Sequence, residues 1–305
     1  MNVSDLTSGE LRRQLKKTGI FLQTGSFVTH LHTSIPSVAD GIELLYQDYP
    51  LADSHGFVDF HVRLTTPLNI RRWFKPQVFF QSDGNSPFTP LPLDQAFPMF
   101  EWGLNWCVSS HANSYLIIHA AVIEKNGYAA IMPAPPGSGK STLCAALINR
   151  GWRLLSDELT LVRVIDGKIV PLPRPVSLKN QSIDIIRQYA PGAVFSRKVS
   201  DTVKGTVAHM KPPSGSVAQA SEIAQPGWII FPKYQAGANA HLERQPKARA
   251  FMRLADNCFN YSLLGLKGFE TVANMIDQAM SYDFTYSILD EAVEIFDALA
   301  PPLST

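Results

Sequence analysis

The run Ala134-Pro135-Pro136-Gly137-Ser138-Gly139-Lys140-Ser141-Thr142 carries the strongest chemical signal in the chain. Gly137 and Gly139 permit backbone angles that aim successive N–H groups at one point, and such a concave array attracts an anion. Strand formers precede the run and a helical pattern follows it, so the N-terminus of that helix adds its partial positive charge. Lys140 has the reach to meet β- and γ-phosphates, and the Ser141 hydroxyl is placed to ligate Mg²⁺. The expectation is a nucleotide-binding loop made of Pro136, Gly137, Ser138, Gly139, Lys140, Ser141 and Thr142. Ala134 stands where the usual pattern has its first glycine.

Two further groups bear on what is done with the nucleotide. Asp157 and Glu158 follow Lys140 by 17 and 18 residues. A helix from Lys140 to about Arg150, closed by Gly151, carries the chain back along a sheet. A strand beginning at Trp152 then runs parallel to the strand before the loop, by the usual right-handed crossover. This delivers the acidic pair to the phosphate edge, where one carboxylate can hold Mg²⁺ and the other can take a proton from an attacking hydroxyl. His119 lies within Leu116–Val122, a run otherwise made of Leu, Ile, Ala and Val. It reads either as a packed core histidine or as a third polar group of the site, because its strand is expected beside the one that feeds the loop.

The loop alone does not separate a motor ATPase, a GTPase and a kinase. No Asn-Lys-x-Asp for reading guanine occurs, and no LSGGQ-like stretch of a transporter ATPase. The late apolar run WIIFPKY ends in Pro-Lys rather than in an acidic pair.

Around these residues the pattern predicts the following elements. Residues 1–24 read as a short polar helix. FVTHL, VDFHVRL and QVFFQ alternate as strands do, SDGNSPF holds a tight turn, and Leu93–His111 has helical spacing. Trp73, Trp102 and Trp106 read as core rather than as a platform for stacking bases. YLIIHAAVI and YAAIMP are strands joined by a turn at Asn126-Gly127, and LTLVRVI and KIVPL flank a second turn at Asp166-Gly167. Residues 190–226, rich in Gly, Pro, Ser, Ala and Lys, read as a long mobile loop. WIIFPKY is a buried strand, and helices are expected near Arg249–Asn257, Gly268–Tyr282 and Ser287–Ala300. The reading divides the chain into an N-terminal α/β region, 1–113, and a catalytic α/β domain, 114–305, with a β-rich mixed central sheet.

Composition bounds the rest. The chain has 305 residues, of which 45% are hydrophobic and 17% charged, so a sizeable core is available. Lys plus Arg is 27 and Asp plus Glu is 26, a balance with no global pull toward nucleic acid or anionic lipid. Three widely spaced cysteines without a CxxC pair argue against a disulfide framework or zinc cluster. The first twenty residues hold no apolar core of signal-peptide type, and the longest apolar stretch is too short to span a bilayer. The expected setting is the cytoplasm, without membrane or nucleic-acid partners.

His119, the phosphate loop and the early acidic pair, in this order, resemble the HPr kinase/phosphorylase superfamily over roughly residues 115–180. Asp-Glu stands where that family has Asp-Asp. A likeness over most of the chain joins EWGLNWC, HAAVIE, PPGSGKSTLCAAL, RGWRLLSDE, PLPRPVSLKN and DTVKGTVAH, which look like the HprK-related kinase A family. The resemblance implies a P-loop kinase domain of the HPr kinase type, with ATP and Mg²⁺ as cofactors and a serine hydroxyl of a protein or peptide as acceptor. It implies Asp157 as general base with His119 beside it, and Ser141 and Glu158 as metal ligands. Arg174 and Lys179 would meet the transferred phosphate or the acceptor, with Lys204 and His209 as weaker contacts. The family's acceptor-binding signature is not matched, so HPr itself is not the expected substrate. A homo-oligomer is left open. A second reading is a nucleotide sensor that binds ATP, transfers little, and acts on a partner through the 190–226 segment.

Overall fold

The computed structural model describes residues 1–67 and 73–300. Helix α1 (Ser8–Lys17) opens on a reciprocal cap. Glu10 N–H donates to Thr7 Oγ1, and Thr7 N–H donates to the Glu10 carboxylate. The helix buries Leu11 and Leu15, so it is a packed element rather than a solvated one. It also stops earlier than its polar pattern suggests. Gly19 takes φ +78°, and the alternating IFLQT then forms a strand.

That strand, β1 (Ile20–Thr24), is followed by β2 (Phe27–Thr33), α2 (Pro36–Leu45), β3 (Phe60–Thr65), β4 (Gln77–Ser82), β5 (Leu91–Pro92) and α3 (Ala96–His111). The strands form a five-stranded sheet in chain order, parallel only at β2–β3. Its buried face and helices α1–α3 enclose one core, which also takes in Ile117, Leu159 and Leu161 from the next part of the chain. Trp73 is 74% exposed and therefore not a core residue, while Trp102 and Trp106 are half-buried.

Next come β6 (Tyr115–Lys125), β7 (Tyr128–Pro133), α4 (Lys140–Ile148), β8 (Arg153–Ser156), β9 (Leu159–Arg163) and β10 (Ile169–Val170). β6 is buried on both faces, as its apolar run, interrupted only by the half-buried His119 between Leu116 and Ile123, requires. It pairs antiparallel with β7 along one edge. On the other edge it pairs with β9 at its start and with β8 at its end. β8 therefore runs in the same direction as β7, but with β6 between them.

Residues 190–226 are not a long loop. After β11 (Val176–Lys179) and α5 (Gln181–Tyr189), they hold β12 (Val199–Thr202), β13 (Gly205–Met210) and α6 (Ser214–Ala218). β13 sits between β11 and β12 in a small antiparallel sheet. Its Val207, Ala208, His209 and Met210 are buried, enough to order a segment whose Gly and Ser content suggests a loop.

β14 (Gln225–Tyr234) and β15 (His241–Arg244) precede α7 (Lys247–Asp256), α8 (Tyr261–Leu264) and α9 (Leu266–Gln278). The helix expected to continue to Tyr282 ends at Gln278. β16 (Met280–Tyr286) follows, then α10 (Leu289–Asp297). The central sheet has eight strands, with β7, β14 and β16 parallel neighbours and β15 antiparallel at the edge. The architecture is mixed α/β. No helix among the described residues is long and apolar enough to cross a membrane.

Candidate functional site

The C-terminal ends of β7, β8, β14 and β16 share one edge of the central sheet, where the crevice of an open α/β sheet forms. The chain leaving β7 turns through Gly137 at φ +85° and Gly139 at φ +87°, and α4 starts at Lys140. Gly139 is confined as well as left-handed: a Cβ there would lie 2.4 Å from Tyr286 Oη. Tyr286 Oη donates to the Gly139 carbonyl at 3.0 Å, and Tyr234 N–H donates to the Ser138 carbonyl at 3.0 Å. The last residues of β14 and β16 thus hold the loop from outside. The first N–H groups of α4 have no partner within the helix.

Lys140 is 8% exposed, and its Nζ has no hydrogen-bond partner, nor does the buried Ser138 hydroxyl. Burial pushes the ammonium below its ordinary range, and Asp157 and Glu158 offset this only in part. A buried ammonium with no hydrogen-bond partner and its charge only partly offset, in the first turn of a helix, can attract an anion.

Asp157 and Glu158 occupy the turn from β8 to β9, tightened by Leu159 N–H donating to Ser156 Oγ at 3.1 Å. Asp157 is 5% exposed. One carboxylate oxygen accepts from Ser177 N–H at 3.2 Å and the other has no partner. Burial, then the charge of Glu158, pushes its carboxyl up to about 6, against Lys140, Lys179 and Ser141. Glu158 goes the opposite way. Burial would raise it, but Lys204, Lys179, Lys140 and Arg174 together hold it below its ordinary value.

A cleft of about 560 Å³ opens over the loop, bordered by His119, Glu158, Lys179, Asn180 and Lys204. His119 sits where β6 passes the end of β7, since Ala120 faces Pro133. Its N–H donates to the Asn257 carbonyl at 2.7 Å and its ring packs 5.7 Å from that of Phe259. Burial and then Lys140 push the imidazole down to about 4, so it is neutral at neutral pH. Lys179 arrives at the end of β11. Lys204 arrives on the β12–β13 turn, with Nζ 5.1 Å from the Trp102 ring centre.

Two of the sequence-derived contacts lie elsewhere. Arg174 is 7% exposed and does not border the cleft. Its guanidinium donates to the Glu101 carboxylate at 2.6 Å, to the Glu101 carbonyl at 2.8 Å and to Asn105 Oδ1 at 2.8 Å. His209 is buried against Phe97, with neither ring nitrogen hydrogen-bonded. Both line a cavity of about 20 Å³ behind the acidic pair, room for one water.

Sequence reasoning missed Asn105 and Glu101. Asn105 Nδ2 donates to the Glu158 carboxylate while its Oδ1 accepts from Arg174, and Tyr46 Oη donates to Glu101 at 2.7 Å. The chain Tyr46–Glu101–Arg174–Asn105 thereby anchors Glu158 from the N-terminal helices. The available signal was two polar residues four apart within the apolar pattern of α3. No protein-family model matches the chain, and no curated protein matches it.

Proposed function

We propose that the protein is a P-loop kinase of the HPr kinase type, transferring the γ-phosphate of Mg-ATP to a hydroxyl, in the first instance a serine of a protein or peptide. The observation that carries this reading is the buried, unpartnered Lys140 ammonium inside a two-glycine turn, facing two carboxylates whose proton affinities are pushed apart. A loop that only turned the chain would have no use for a buried charge without a hydrogen-bond partner.

The loop N–H groups and Lys140 take the phosphates. Mg²⁺ binds through one or two carboxylates, a hydroxyl and the phosphates themselves, and the donor set of Ser141 with Glu158 fits that pattern. When bound, the ion neutralises charge on the transferring group. Asp157, with a carboxyl near 6, is matched to accepting a proton near neutral pH. His119, kept neutral, can orient the acceptor hydroxyl without adding a charge. Lys179 and Lys204 border the cleft where the phosphate would arrive.

A second assignment is favoured by one observation: Glu158 borders the cleft, whereas Asp157 is buried and under the influence of Ser141. In it Asp157 and Ser141 hold Mg²⁺, and Glu158 meets the acceptor. The two assignments part on substitution. If Asp157 is the base, Asp157→Asn keeps the Mg²⁺ dependence of ATP binding and loses transfer. If it is the metal ligand, both change. Transfer is read by mass spectrometry of peptides incubated with Mg-ATP. ATP binding without any phosphate gained on any peptide would favour the sensor reading.

A further inference from the structure

The outer face of the N-terminal sheet carries three histidines that the proposed phosphotransfer chemistry does not use. His30 and His32 project from β2 on the side opposite the core, and His61 on β3 stands directly across from His30 in the parallel register. His30 Nδ1 and His61 Nδ1 are 3.3 Å apart. Two imidazole nitrogens bound tetrahedrally to one ion at about 2.05 Å are separated by roughly 3.3 Å. We propose that His30 and His61 form a two-imidazole site for a late first-row divalent cation such as Ni²⁺, Cu²⁺ or Zn²⁺.

The surroundings of His30 prepare it as a ligand. Its Nε2 lies 2.8 Å from the Thr18 carbonyl, which only accepts, so Nε2 carries the proton and Nδ1 presents its lone pair toward His61. A ligating histidine ordinarily donates its other N–H to such an acceptor, which fixes its tautomer and ring plane. The ring is also stacked on Phe21, its register partner on β1, with centres 4.3 Å apart and planes 2° from parallel. Gly19 leaves the space this needs, since a Cβ there would lie 2.5 Å from His30 Nε2 and 2.6 Å from His32 Nε2. His32 Nε2 stands 3.0 Å from His30 Nε2, on the side away from His61, and is placed to support His30 rather than to bind the ion. Among the described residues no three His, Cys, Asp or Glu side chains converge on a metal position, so water fills the remaining coordination. Imidazole ligands select the later first-row ions over Mg²⁺ or Ca²⁺. None of the three histidines borders the cleft over the phosphate loop, and the site does not depend on the kinase reading.

The test is calorimetric titration of the full chain with Ni²⁺. One equivalent is expected to bind. His61→Asn and His30→Asn should each weaken binding by more than about tenfold, at least the effect of losing a supporting partner. His241→Asn, an exposed histidine on β15, should leave binding unchanged. His61 is exposed, so its replacement leaves the fold intact, and the metal-free melting temperature checks this. Absence of Ni²⁺ binding at millimolar concentration overturns the proposal. So does binding unchanged in His61→Asn, or binding lost in His32→Asn but kept in His61→Asn.

Discussion

Replacing Lys140 with methionine should move two quantities in opposite directions. The environment of the ammonium disfavours its charge on balance: burial outweighs the attraction of Asp157 and Glu158, and no hydrogen bond compensates. Methionine has similar length and no charge to desolvate. Lys140→Met should therefore raise the melting temperature of the protein without nucleotide. With nucleotide the sign reverses. A charge-assisted hydrogen bond to phosphate contributes about 1.5–3 kcal/mol, so its loss should weaken ATP binding by roughly 10- to 150-fold. At ATP 100 times the wild-type Kd, ligand stabilises the wild type by about 2.7 kcal/mol. A variant 100-fold weaker would gain only about 0.4 kcal/mol at that concentration. Scanning calorimetry with and without Mg-ATP, paired with isothermal titration, reads both effects. A variant that melts lower without nucleotide, or keeps the full ATP-induced shift, would refute the reasoning about the loop.

Three further outcomes follow from the same geometry. Gly139→Ala meets both a left-handed φ and Tyr286 Oη, whereas Gly137→Ala meets open space at a similar φ. Gly137→Ala should cost only about 1–2 kcal/mol in chemical denaturation, and Gly139→Ala more, with the larger loss of ATP affinity. Glu101→Gln leaves the buried Arg174 guanidinium without its charged partner and should destabilise by about 3–5 kcal/mol. Glu101→Gln combined with Arg174→Met should recover much of that loss in urea denaturation, and failure to recover would deny the pair its coupling. Asp157 releases its proton near 3.8 when unfolded and near 6 when folded, so between these values the folded state holds more protons. Stability should then fall by roughly 2 kcal/mol as pH rises from 4 to 6, and this contribution should vanish in Asp157→Asn. Equal pH profiles for the two proteins would contradict the raised carboxyl.

The parts of the site legible in the sequence are those set by short-range pattern. Glycine spacing, a strand before and a helix after determined the loop, and the length of that helix placed Asp157 and Glu158 on the same edge. His119 was placed by strand adjacency, which a short turn at Asn126-Gly127 makes nearly obligatory. What escaped depends on partners distant in sequence. β12 and β13 are short and rich in small residues, and they are ordered by pairing to β11 and burial of Val207 and Met210. β16 was partly absorbed into the preceding helix, because its strand character rests on the parallel neighbour β14, some fifty residues earlier. Arg174 read as an available cation. Only the fold shows it committed to Glu101 and Asn105, from a helix about seventy residues upstream.

The most direct test of the kinase reading is transfer of a traceable phosphate. Cell extract is incubated with Mg-ATP labelled in its γ-phosphate with ¹⁸O, together with wild-type, Asp157→Asn or Glu158→Gln protein, and labelled phosphopeptides are measured by mass spectrometry. Nucleotide binding is followed on the same samples. The prediction is a labelled phosphoserine peptide in the wild-type sample that falls by roughly 10²–10⁴ with Asp157→Asn, the worth of a positioned general base, while that variant still binds Mg-ATP. Labelling at the wild-type level with Asp157→Asn, or no labelled peptide above background although wild type binds Mg-ATP, would contradict it.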